Sequence, residues 1–192
     1  MDDNIFRIEN KLQPRKGRVL IAEPFLDDYY FKKSIILLTE HNEDGSMGFV
    51  INNPVNLKLN ELLNGFPEFE ANISVGGPVS TDSVQFVHLS EIQLTNSIEV
   101  RPNLFWGGDF EDLKEAVLCG NVDKNEIIFF IGYSGWSPGQ LEAEIKENSW
   151  IVTELPTDII MKYNKNVWQR TLHEMGERYK AWANFPEDPN LN

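Results

Sequence analysis

The sequence predicts a mixed α/β (α+β) fold, with one mixed β-sheet flanked by helices and a C-terminal amphipathic helix. Three observations lead there. Short apolar runs of strand length are interleaved with helical patterns along the chain, which favours a single layered domain. An Asp44-Gly45 step between two of those runs is a hairpin signal, so some neighbouring strands should be antiparallel. At 192 residues, 41% hydrophobic and 24% charged, the chain has the composition of one globular domain with a substantial core. The expected organisation is an N-terminal extension over 1–16, a single domain over 17–185 and a polar tail over 186–192.

The elements follow in order. Val19-Leu20-Ile21-Ala22 reads as a buried strand, and Ile35-Ile36-Leu37-Leu38 as a second. The turn at Asn42-Glu43-Asp44-Gly45 returns the chain into Phe49-Val50-Ile51, which stops at Asn52-Asn53-Pro54 because proline cannot donate to a ladder. Leu59, Leu62 and Leu63 suggest a short helix ended by Gly65. Val75 leads into Gly76-Gly77-Pro78, Val84 to Leu89 alternates as a strand, and Ile98 to Val100 extends the sheet. Asp109 is placed as an N-cap, with Glu111 and Asp112 in the first turn and Gly120 just past the helix end. Ile127 to Ile131 lacks polar alternation, so it should be covered on both faces. It enters Gly132-Tyr133-Ser134-Gly135-Trp136, read as a glycine-rich turn, and Ser137-Pro138-Gly139-Gln140 has the form of a capping box opening a helix over 141–148. Trp150-Ile151-Val152 is one more strand. Trp168, Leu172, Met175, Tyr179 and Trp182 then form the apolar stripe of the C-terminal helix.

Charge excludes more than it suggests. With 17 Lys+Arg against 30 Asp+Glu, the formal net charge is −13, which repels phosphate backbones unless a basic patch stands apart. The candidate patch is Lys11, Arg15, Lys16 and Arg18, and neither a helix-turn-helix nor an RRM-like aromatic pattern accompanies it. No secretory signal is expected from Met1-Asp2-Asp3-Asn4-Ile5, and no apolar run approaches the ~18 residues of a membrane span. The single Cys119 has no partner for an intramolecular disulfide, fits a reduced cytoplasmic compartment, and is expected as a small buried hydrophobe. His41, His88 and His173 show no metal-ligand spacing, so no metal and no cofactor are expected.

Two constellations could carry chemistry. Glu40-His41, facing Asn52-Asn53 across the predicted hairpin region, would bring an imidazole, a carboxylate and two amides to one end of the sheet. The segment Gly132 to Ser137 would offer free N–H groups and a helix amino end as an anion cradle. The order Ser134, Asp158, His173 imitates that of α/β-hydrolases, but a G-x-S-x-G elbow requires glycine where this chain has Trp136. His88 reads as a strand-end residue.

The segments Gly17 to Pro24, Phe31 to His41, Gly45 to Pro54, Gly76 to Val79, Gly132 to Trp136 and Gly139 to Glu144 together resemble the YqgE/AlgH family, also called UPF0301. The resemblance runs over roughly residues 17 to 185 and implies a bacterial, cytosolic protein of compact α/β architecture without an established biochemical activity. Members are commonly labelled transcriptional regulators, after a genetic link between one relative and alginate production. Asn53 stands where many relatives carry Arg or Lys, and the position of Ser134 also accepts alanine. The expected function is a regulatory or interaction protein that binds a small ligand or protein partner, with direct nucleic-acid contact and membrane association set aside. Its candidate site comprises Glu40, His41, Asn52, Asn53, Gly76, Gly77, Gly135 and Trp136. The alternative is an enzyme using Glu40 and His41 as acid and base beside the anion cradle.

Overall fold

Ile127, Ile128, Phe129 and Phe130 have no solvent exposure, and the strand that carries them organises the sheet. In the computed structural model, which describes residues 8–162 and 164–184, this strand is β8 (Ile127–Trp136). The preceding strands are β1 (Val19–Ala22), β2 (Ile35–Asn42), β3 (Gly45–Val50), β4 (Asn72–Val75), β5 (Val79–Leu89), β6 (Ile98–Arg101) and β7 (Leu104–Trp106), and β9 (Trp150–Thr153) follows. The helices are α1 (Leu59–Leu62), α2 (Phe110–Leu118), α3 (Gln140–Lys146), α4 (Thr157–Ile160), α5 (Val167–Glu174) and α6 (Glu177–Ala183). The strands lie in the order β6-β7-β5-β8-β3-β2-β1-β9, and β4 runs parallel to β8. All other pairings among the described strands are antiparallel, so the fold is the expected α+β type with a mixed sheet.

The glycine-rich stretch is not a turn. β8 continues through it, with Ile128 to Ile131 against β4 and Ser134 to Trp136 against β3. Gly132, at φ +64, joins these two halves, and a Cβ there would lie 2.7 Å from the carbonyls of both Gly77 and Val79. A residue without a side chain lets the strand kink while its neighbours stay paired. The anion cradle expected over Gly132–Ser137 is thereby overturned, because the backbone from Ser134 to Trp136 is paired with β3.

Other local expectations also changed. Ser137 makes no side-chain cap. The other half of the expected capping box is present, since the Gln140 Oε1 accepts the Ser137 N–H at 3.0 Å, while Gly139 at φ +77 is the N-cap of α3. The C-terminal stripe is divided between two helices, because Gly176 at φ +109 interrupts the helical path. Trp168, Leu172 and Trp182 still share one core, with Met175 and Tyr179 packed against it. Cys119 is exposed at the C-cap of α2 rather than buried. The cap at Asp109 is as expected, its carboxylate accepting from the N–H groups of Glu111 and Asp112.

Among the described residues, three apolar clusters cover the sheet. One lies against α5 and α6, a second gathers Leu20, Ile36, Trp136, Leu141 and Trp150 beneath α3, and a third joins Phe86, Phe129 and Leu113 beneath α1 and α2. Part of the N-terminal extension belongs to this body: the Asn10 Nδ2 donates to the Trp150 carbonyl at 2.9 Å, and Ile8 is buried. Residues 1–7 of the extension and the tail over 186–192 lie outside the described residues. Among the described residues, no helix is long and apolar enough to cross a membrane.

Candidate functional site

Cross-strand register separates Glu40 from His41. Glu40 pairs with Met47, which pairs with Gly135, whereas His41 pairs with Ser46, which pairs with Trp136. Consecutive strand residues face opposite sides of the sheet, so these two triplets occupy different faces. A cavity of about 540 Å³ at this end of the sheet is lined by Glu40, Met47, Tyr133 and Gly135 and reaches Ser46 and Trp136 of the other triplet, so Glu40, Gly135 and Trp136 of the expected site border one cavity. The His41 Nδ1 lies 2.8 Å from the Ser46 Oγ, and its Nε2 lies 3.6 Å from Glu142 Oε1. Glu40 and His41 therefore do not form one acid–base couple.

Trp136 is held as a structural residue. Its Nε1 donates to Glu144 Oε2 at 2.8 Å, and Trp150 Nε1 donates to the same oxygen at 2.7 Å. The two indoles meet edge to face at 6.0 Å, with Phe31 stacked on Trp136. Gln140 donates to the other oxygen of Glu144 at 2.9 Å. Glu144 thus closes the second cluster, a role that nothing in its immediate sequence announces.

Asn52 and Asn53 sit at the far end of the hairpin. The Asn52 Oδ1 accepts the Ile35 N–H at 2.8 Å, and its Nδ2 donates to the Lys33 carbonyl at 2.9 Å. Ile35 and His41 are six residues apart on one strand, roughly 20 Å at ~3.4 Å per residue. The convergence expected at one sheet end is overturned, because Asn52 anchors the entrance of β2 whereas His41 lies beside its exit. Asn53 is exposed, gives its carbonyl to Val75 N at 2.9 Å and lines a separate cavity of about 380 Å³.

Gly76 and Gly77 are packing glycines. The Gly76 N–H donates to Ile131 O, and its carbonyl accepts both the Val50 N–H and the buried Ser134 hydroxyl, each at 2.9 Å. A Cβ on Gly77, at φ +154, would lie 2.5 Å from Ser134 N and closer still to Tyr133 C and O. Ser134 is fully buried in this contact, and His173 is exposed on α5.

The other singled-out residues are accounted for locally. Arg15 and Arg18 both approach Glu154, at 3.8 and 3.1 Å, and Lys16 donates to the Glu99 carbonyl at 2.7 Å, so much of the basic cluster is engaged by the chain itself. His88 is buried, with Nδ1 2.9 Å from Leu89 O and Nε2 3.0 Å from Ser97 Oγ. Desolvation lowers its pKa below the usual histidine value, opposed by the carbonyls of Leu89 and Gly107. The unfolded chain therefore takes up a proton there before the native protein does, so stability is complete above about pH 6.5 and falls as the pH drops through the native value. Urea midpoints at pH 7.5 and 5.5 should show this loss, and His88→Gln should flatten that part of the slope. An unchanged slope in the variant would assign the pH dependence elsewhere. Among the described residues, no three His, Cys, Asp or Glu side chains are grouped to hold a metal ion.

Comparison with known proteins gives this geometry its setting. The sequence profile described as AlgH-like matches residues 19–180. The chain belongs to the AlgH-like family. This AlgH-like chain is 43% identical to a UPF0301 protein of Parabacteroides distasonis, over 98% of each sequence. A UPF0301 protein of Cytophaga hutchinsonii is 41% identical, over 92% of this chain and 98% of its own length. The solution structure of AlgH from Pseudomonas aeruginosa matches with a TM-score of 0.71 at 28% identity, covering 93% of this chain and 98% of AlgH. A crystal structure from Corynebacterium diphtheriae matches with a TM-score of 0.76 at 23% identity, over 96% and 99% of the two chains, and shares the fold.

Proposed function

We propose that this AlgH-like protein is a regulatory binding protein whose small ligand occupies the cleft around Asn53 and Pro54. One observation carries the reading. Two cavities, of about 860 and 380 Å³, share Pro54 and Lys165 in their linings. Both volumes lie in the range of small-molecule sites, ~300–1,000 Å³. The larger is lined in part by Leu57, Lys58 and Phe69, so apolar contact and polar groups adjoin. Of the residues expected at a site, Asn53 is the one placed here with its side chain exposed, and Asn52 holds the loop behind it.

Protein-observed NMR with a mixed fragment library tests the proposal. Perturbed amides are expected at 53–57 and 165–169, and an obstructing Asn53→Trp substitution should abolish them without altering the melting temperature. Hits confined to the cavity beside Glu40 and Tyr133 would overturn the assignment.

A second reading, acyl transfer or hydrolysis, has one observation in its favour: the chain of contacts Ser46–His41–Glu142. Against it, Ser46 lies within β3, which is paired on one side with β2 and on the other with β8. That pairing engages the backbone N–H groups of β3 that a developing oxyanion beside Ser46 would need. A fluorophosphonate probe is expected to leave Ser46 unmodified. Stoichiometric labelling there would restore the enzyme reading.

A further inference from the structure

We infer that the smaller cavity, between the 29–34 loop, Asn53 and the amino end of α5, binds a phosphate group. The inference rests on the reading of the Asn53–Pro54 cleft as the binding site and adds the chemistry of its ligand. Acidic residues outnumber basic ones 30 to 17 in the chain, yet among the described residues this lining holds Lys32, Lys33 and Lys165 and no Asp or Glu. Three lysines brought to one lining favour an anionic group there, whatever the sign of the chain as a whole. The nearest acid on the loop is turned to another task, since the Asp28 carboxylate accepts the N–H groups of Tyr30 and Phe31 at 2.8 and 3.1 Å.

The loop is held in place for this purpose. Lys33 has φ +55, its carbonyl is gripped by Asn52, and its Nζ stands 5.6 Å over the Trp168 ring. Trp168 is itself anchored, donating from Nε1 to the Ala22 carbonyl at 2.9 Å. Lys33 and the start of α5 are therefore fixed relative to each other.

Two further groups favour an anion. Asn166, Trp168 and Gln169 bring the first turn of α5 to the cavity; Asn164 takes the N–H groups of Asn166 and Val167, and among the described residues no side chain caps those that follow and no acidic residue lies in the first turn. The first-turn N–H groups of a helix have no intrahelical acceptors and attract negative charge. Ser34, also in the lining, is 2% exposed, and its hydroxyl has no hydrogen-bond partner among the described residues. A buried hydroxyl without a partner is unusual, and a bound oxygen atom would supply one. A phosphate dianion gains more from three lysines than a monoanionic carboxylate does, and lysine binds phosphate as a point charge without needing a planar fork.

The test is an NMR titration of the full chain with inorganic phosphate, methyl phosphate, acetate and neutral amide fragments. A parallel arm measures co-sedimentation with vesicles of phosphatidylcholine, with and without phosphatidate. Saturable shifts at 34, 53 and 166–169 with the soluble phosphates are expected, weakened at least tenfold by Lys165→Gln and Ser34→Ala but not by Lys146→Gln, which removes the same charge on α3. Binding only to phosphatidate vesicles, with the same variant pattern, supports the phosphate site and assigns its source to a lipid headgroup. If neutral fragments shift these residues while neither phosphate source binds, the phosphate inference fails and the cleft remains a binding site. If nothing perturbs the cleft, both readings fail. Equal affinity in Lys165→Gln and wild type would also overturn the inference.

Discussion

Gly77→Ala is expected to destabilise the protein by roughly 2–6 kcal/mol, the combined range of backbone strain and overpacking at a site that cannot relax. Its Cβ would meet backbone atoms of Tyr133 and Ser134 rather than the movable end of a side chain. Relief would require β8 to move from the β4–β5 connection, and β8 also carries the pairing to β3. Gly65→Ala is the matched control. It too has positive φ, +75, but a Cβ there meets nothing within 4 Å, so it should cost only about 1 kcal/mol of conformational strain. Urea midpoints of the two variants read the difference directly. Equal small losses would show that the sheet opens easily at Gly77, contrary to the packing described.

Glu144→Ala is expected to cost about 2–5 kcal/mol, because it removes the acceptor of two buried indole N–H groups at once and each orphaned donor costs ~1–3 kcal/mol. Trp136 and Trp150 are 6% and 1% exposed, so their indole N–H groups depend on the half-buried carboxylate that reaches them from α3. Glu144→Gln keeps one carbonyl acceptor and should lose less than half as much. Denaturant unfolding gives the energies, and a red shift of tryptophan emission in the alanine variant would report water entering the cluster. Full stability in Glu144→Ala would mean that the indoles had found other acceptors. The same geometry explains why Trp136, singled out as a site residue from its motif, belongs to the core: a tryptophan beside glycines reads alike in either role until its indole partner is known.

Local signals with a local cause were legible. The Asp44-Gly45 hairpin is present as β2–β3, and the Asp109 cap depends on atoms two and three residues away. The unbroken apolar run at Ile127–Phe130 stated its burial because a strand covered on both faces has no polar side to show. Gly132 and Gly176 were harder. Each has positive φ, but the first kinks a strand that continues, whereas the second divides two helices. A glycine's neighbours in sequence do not say whether its freedom is used for a turn, a kink or a close approach. The candidate site suffered most. Adjacency of Glu40 and His41 in sequence placed them on opposite faces, and Asn52-Asn53, at the other end of the hairpin, joined a cavity with residues more than a hundred positions away.

The acidic composition, the mixed sheet and its segments, and the family were determined by the sequence itself, because strand alternation, turn chemistry and caps act over a few residues. Which polar groups meet was decided only by the tertiary structure. Glu144 reaches Trp136 and Trp150 through the packing of α3 on the sheet, and Lys33 reaches the start of α5 through the docking of that helix near Ala22. Such meetings depend on strand order and register. These are set by the burial of the whole apolar surface at once, and no short stretch of chain contains that information.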